Sequence, residues 1–298
     1  MNTKLFTQYL LERGLIDREQ MLEVIEVGRS MNAGVDDIAV AIGLLTPADV
    51  HSIRWEQLQR DQPFERIAIS LGLLTPSQLN TLTNRQRSRK ILASQILLAR
   101  GYVDFDDLML AEYEYKQESI ARSHELETLM AGADYGQVAR ITVSVLDRIY
   151  VRMMGTSLRI QDATTERPIE AQERLWTQEF SAGRASHEIS LQMHESSALM
   201  IAEVVLGAQR PRFDDLVEDS VSEFLNIVSG HVCGNLEHSG RVQAKPPRVT
   251  FGGELLNRHP DAIVLRCDSG DVRFCFAFSS QAEPAEPQAR PPSAVAGL

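Results

Sequence analysis

The sequence predicts two unlike parts, an α + α/β chain overall: an all-helical N-terminal region of 29-residue repeats, then an α+β domain with long helices packed on a β-sheet. Three observations predict this. A glycine-centred phrase recurs four times at a constant interval. Beyond about residue 135 the apolar pattern changes from purely helical to a mixture of helical and alternating stretches. Residues 219–230, DSVSEFLNIVSG, carry a polar strip along a helix whose apolar face is already complete. The implied divisions are a repeat domain at 1–118, a linker at 119–135, a mixed domain at 136–279 and a Pro/Ala-rich disordered tail at 280–298.

The repeated phrases are RGLIDREQM from Arg13, IGLLTPADV from Ile42, LGLLTPSQL from Leu71 and RGYVDFDDL from Arg100. Their glycines, Gly14, Gly43, Gly72 and Gly101, suit the left-handed turn that ends a helix. Five residues earlier stand Tyr9, Ile38, Ile67 and Ile96, and seven later Met21, Val50, Leu79 and Leu108, the core positions of two successive helices. Asp17, Thr46, Thr75 and Asp104 are N-cap residues, with Gln20, Asp49, Gln78 and Asp107 placed as in a capping box. Pro47 and Pro76 occupy the first helical position, where the missing N–H costs least. Each unit is therefore helix, glycine turn, capped helix, and stacked units make a partner surface.

Residues 5–118 resemble the MshEN domain of type II secretion and pilus ATPases, whose motif has the form RLGxxLxxxGxxxxxxLxxxLxxQ. The glycine and leucine columns match throughout, and Gln57 and Gln86 match the closing glutamine. At the opening Arg-Leu-Gly, which in that family contacts cyclic di-GMP, this chain has Leu5-Phe6-Thr7, Gly34-Val35-Asp36, Pro63-Phe64-Glu65 and Leu92-Ala93-Ser94. The resemblance implies a helical interaction module, with cyclic di-GMP as a doubtful ligand.

In the second half, Gln137–Met154 has helical periodicity, and TSLRIQ, RLWTQEF and HEISLQM read as strands. SSALMIAEVVLG and the segment around DSVSEFLNIVSG read as helices, followed by candidate strands RVQAKPPRVTF, DAIVLRC and DVRFCFAF. The order of helix, three strands, helices, three strands suggests a duplicated half.

A formal charge of −11 argues against a phosphate-backbone binder, so no nucleic-acid partner is expected. No apolar run approaches the roughly 18 to 20 residues of a membrane span, and MNTKLFTQYLLERG lacks the order of a signal peptide. A cytoplasmic chain without a membrane span is the expectation. Cys233, Cys267 and Cys275 are odd in number and widely spaced, which reads as buried free thiols, and His231 and His238 have no further ligand at metal spacing.

At about 100° per residue, Val217, Val221, Phe224, Val228 and Val232 form one apolar stripe, while Asp219, Glu223, Asn226 and Gly230 share the opposite side. The polar group is a strip that a partner could meet, and Gly230 would let another backbone come close.

LQMHESSALMIAEVVLG, the sequence DxxxExxN and KPPRVTFGG together resemble the CheC/CheX/FliY family of chemotaxis phosphatases, CheX most closely, over about residues 135–279. That family carries D/S-x3-E-x2-N on a long helix, matched by Asp219, Glu223 and Asn226, and then a proline, matched by Pro246 or Pro247 a few residues nearer than usual. The helix at 137–154 has no E-x-x-N, so one active face per chain is implied. The resemblance implies a phosphatase of a phosphorylated CheY-type receiver, with Glu223 and Asn226 catalytic and Asp219 and Gly230 partner-binding. It implies no cofactor of the chain's own, since the receiver would carry the Mg2+, and a homodimer, for which DVRFCFAF looks like a strand needing cover. The competing expectations are a docking module without catalysis and a cyclic di-GMP receptor.

Overall fold

The computed structural model describes residues 3–89, 91–133, 135–165, 173–182, 185–236, 242–251, 262–269 and 272–282. Eight helices make the repeat: α1 (Thr3–Glu12), α2 (Arg18–Met31), α3 (Val35–Ala41), α4 (Pro47–Arg60), α5 (Phe64–Ser70), α6 (Pro76–Arg89), α7 (Ala93–Arg100) and α8 (Phe105–Gly132). The four column glycines all take left-handed φ, between +67° and +74°. Reciprocal capping boxes form at Asp17/Gln20, Thr46/Asp49 and Thr75/Gln78. At the fourth unit the cap shows one bond, with Asp104 accepting from the Asp107 N–H at 2.9 Å.

The units do not stack in sequence order. The first packs on the fourth around Phe6, Tyr9, Leu10, Ile96, Leu97 and Leu108, and the second on the third around Ile38, Ile53, Ile67 and Leu82. Asn32 seals the outer pair, donating to the Ile91 carbonyl at 2.8 Å and accepting from the Ile91 N–H at 2.7 Å.

Residues 119–132, expected to be a linker, are the second half of the 28-residue α8. No helix breaker precedes Gly132, and Leu126 and Met130 enter the core of the C-terminal domain. The two parts therefore share a helix.

The C-terminal part comprises α9 (Gly136–Met154), β1 (Arg159–Thr164), β2 (Arg174–Ala182), β3 (Ala185–Met193), α10 (Glu195–Leu206), α11 (Asp215–Leu236), β4 (Val242–Ala244), β5 (Arg248–Phe251), β6 (Ile263–Ser269) and β7 (Val272–Ala282). The strands form one antiparallel sheet in the order β1-β6-β7-β3-β2-β4, with β5 also paired to β2. The chain is a mixed α+β protein, mostly helical, with its sheet in the C-terminal part.

Further expectations change here. RVQAKPPRVTF is two short strands, not one, because Pro246 and Pro247 have no N–H to give the ladder. DVRFCFAF lies in β7, which is flanked by β6 and β3, so its apolar side chains Phe274, Phe276 and Phe278 are covered within the chain. Residues 280–282 of the expected tail continue β7, and 283–298 lie outside the described residues. Of the thiols, Cys267 is buried whereas Cys233 and Cys275 are only partly so.

The repeat is clamped to the C-terminal domain. Asp61, just past α4, pairs with Arg148 and Arg152 of α9, and Glu12 pairs with Arg159, which also holds the buried Asp268. Among the described residues no helix is long and apolar enough to cross a membrane.

Candidate functional site

The site helix is α11. Asp214 caps its start by accepting from the Val217 N–H at 3.1 Å. Trp176 of β2, fully buried, donates its indole N–H to the Glu218 carbonyl at 3.2 Å, and Arg174 reaches Glu218 and Glu195. These contacts fix the first turns of α11 over β2. Val217, Val221, Phe224, Val228 and Val232 are all completely buried, and so is Leu225. The buried arc is wider than one stripe because α9 and α10 flank the helix as well as the sheet beneath it.

What remains outward is narrow. Asp219, Asn226 and Gly230 are exposed and Glu223 is half-buried. Glu223 and Asn226 are three residues apart on one helix face, which places their Cβ atoms about 5–6 Å apart. Neither Asp219 nor Glu223 makes a side-chain hydrogen bond or ion pair with any described residue. A Cβ added at Gly230 would meet nothing within 4 Å, so no packing among the described residues demands glycine there. The N-terminal repeat touches this helix further on, where His231 Nε2 lies 2.6 Å from the Leu58 carbonyl oxygen, and leaves Asn226 exposed.

Asn226 is not a free amide. Its Oδ1 accepts from Nε2 of Gln178 at 3.0 Å, and the same nitrogen donates to the Lys245 carbonyl at 2.9 Å. Lys245 is itself held, since its N–H donates to the Glu179 carbonyl at 2.9 Å. The exposed Pro246 follows directly, so the Lys245–Pro247 interruption between β4 and β5 stands beside Asn226. Sequence reasoning placed Pro246 or Pro247 near the motif and missed Gln178. The available signal was a polar residue at a core-facing position of β2, between Trp176 and Phe180.

Among the described residues no group of three or more His, Cys, Asp or Glu side chains is placed to hold a metal ion. The outward groups are thus two carboxylates without a partner among the described residues, one anchored amide and a proline loop. This face can offer hydrogen bonds and negative charge to a partner.

Residues 179–278, within the C-terminal part, match the family described as chemotaxis phosphatase CheX. That match leaves the repeat outside it. Similar solved structures include a chemotaxis protein CheX from Vibrio vulnificus, with 18% identity over 49% of this chain and 99% of that one and a TM-score of 0.43. The CheX–CheY–BeF3–Mg2+ complex from Borrelia burgdorferi has 14% identity over 48% and 97%, with a TM-score of 0.43. FliY from Thermotoga maritima has 12% identity over 50% and 88%, with a TM-score of 0.36. No match was found among curated proteins.

Proposed function

We propose that this chain is a phosphatase that hydrolyses the aspartyl phosphate of a CheY-type receiver domain, with the N-terminal repeat choosing its location or partner. The observation that carries this reading is an exposed, anchored amide one turn from a carboxylate that has no partner among the described residues, on a helix whose other faces are buried, within the stretch that matches the phosphatase family.

In the reaction water attacks phosphorus in line, the bond from phosphorus to the receiver's aspartate oxygen breaks, and the aspartate leaves as carboxylate while the water's proton ends on phosphate. Such transfers are accelerated mainly by position and charge. Asn226 orients the water without adding negative charge beside the phosphoryl group, as an aspartate there would. Glu223, without a partner among the described residues, pairs with the receiver's active-site lysine and sets the register of the two proteins. Asp219 and Gly230 contribute a rim contact and room for the receiver's backbone. The receiver carries the Mg2+.

A second reading is a docking module without catalysis, favoured by Asn226 Oδ1 already being satisfied inside the chain. The test is the decay of a phosphorylated receiver with wild-type protein and with Glu223→Ala. The phosphatase reading expects faster decay with wild type, and a weaker complex with Glu223→Ala by about 10-fold or more for loss of a charge pair. Binding without any acceleration would establish the docking module instead.

A further inference from the structure

We infer that Gln178 is a positioning residue that holds the Asn226 amide with its nitrogen turned toward the receiver. The inference rests on the phosphatase reading above.

The argument is one of donors and acceptors. Gln178 is 1% exposed, and one end of its amide lies 2.9 Å from the Lys245 carbonyl oxygen. A carbonyl oxygen only accepts, so that end must be the NH2 group. The same nitrogen lies 3.0 Å from the Asn226 amide and has a second hydrogen to give. The Asn226 atom facing it must therefore be the oxygen, and the Asn226 NH2 is turned away from Gln178.

The Lys245 carbonyl is a fixed reference. The Lys245 N–H is tied to Glu179, and the next two residues are prolines. Turning the Gln178 amide over would set its oxygen against both the Lys245 and the Asn226 oxygens. Gln178 Oε1 is meanwhile buried and has no hydrogen-bond partner among the described residues. A buried amide that spends both hydrogens on these two acceptors locks one orientation of the pair.

That orientation suits the proposed reaction. An outward N–H donates to one lone pair of the attacking water, leaving the other lone pair in line with phosphorus and both water hydrogens free for acceptors on the receiver. A freely rotating amide would spend part of its time holding the water by a hydrogen, with no such alignment. Gln178 touches neither water nor phosphate. It acts through Asn226.

The test combines Gln178→Met, close in volume but without N–H, with Asn226→Ala and the double variant, each checked for fold by circular dichroism. Two quantities are read: receiver dephosphorylation at saturating protein, and affinity for the BeF3-activated receiver. Gln178→Met should slow the saturated rate by about 10-fold, as expected of a misplaced group, with affinity nearly unchanged. The double variant should be no slower than Asn226→Ala, since a residue that acts through another has no effect once that residue is gone. Additive losses, or loss of affinity with an unchanged rate, would overturn the inference. If Gln178→Met does not fold, Gln178→Leu also lacks the N–H and should give the same pattern. Absence of acceleration by wild type would overturn the phosphatase reading and the catalytic role with it. The anchoring is then read separately from the 15N side-chain pair of Asn226, assigned by its loss in Asn226→Ala. A pair displaced from free-amide positions in wild type, returning to them in Gln178→Met, supports anchoring, and an identical pair in both overturns it.

Discussion

Asp61 joins two costs in one residue, and its substitutions separate them. It is the non-glycine residue with positive φ among the described residues, at φ 48° and ψ 42°, immediately after α4. From there its carboxylate meets Arg148 at 3.0 Å and also Arg152, whose side chain is 18% exposed. Asp61→Ala removes both charge-assisted contacts, about 2–3 kcal/mol for a partly buried pair, and leaves Arg152 without its partner. Alanine in the left-handed region costs about 1 kcal/mol more. The total is about 3–4 kcal/mol, whereas Asp61→Gly loses the contacts but relieves the backbone, for about 2–3 kcal/mol. Urea unfolding followed by tryptophan fluorescence reads this well, because Trp55 lies in α4 beside the clamp and Trp176 in the C-terminal core. The order wild type, Gly, Ala is expected, with Trp55 reporting loss of the docked repeat ahead of Trp176. Equal stability of the Gly and Ala variants, or both within about 0.5 kcal/mol of wild type, would refute the reasoning.

Two further outcomes follow from burial. His187 stacks between Phe180 and Phe278, with ring centroids 5.2 and 5.9 Å away, and burial holds its imidazole below the usual range. The unfolded chain takes up this proton first as pH falls through about 6.5. Stability should therefore drop below that pH until the folded protein's own pKa is reached, by about 1.4 kcal/mol per unit of depression. His187→Phe should remove that part of the loss when unfolding free energies at about pH 7.5 and about pH 5.5 are compared, and an identical drop in both proteins would count against it. Burial also pushes the Cys267 thiol up, while Cys233 and Cys275 are partly exposed. In the native protein a thiol reagent should modify Cys233 and Cys275 ahead of Cys267, with peptide mapping to identify each, and early labelling of Cys267 would contradict this packing.

Local signals were legible in the sequence. The glycines at 14, 43, 72 and 101 and the caps at 17, 46 and 75 act within a few residues of themselves, and each appears where its spacing put it. The nesting of the units was not legible, because it is held by contacts such as Asn32 with Ile91, 59 residues apart. The supposed linker illustrates the same limit. MAGADYGQ has the composition of a boundary, but Leu126 before it and Met130 at its start were already committed to the second core. The site divides likewise: Glu223 and Asn226 share a face by helix geometry alone, whereas Gln178 reaches Asn226 from a strand 48 residues earlier, a distance over which no periodicity speaks.

The most direct test of the central claim is the dephosphorylation rate of a CheY-type receiver at saturating protein, wild type against Asn226→Ala. The account predicts acceleration by wild type that falls by about 100-fold in the variant, in line with the loss of a group that orients the nucleophile, while the BeF3-activated receiver binds both within about threefold. Equal rates for the two proteins, with binding intact, would contradict it.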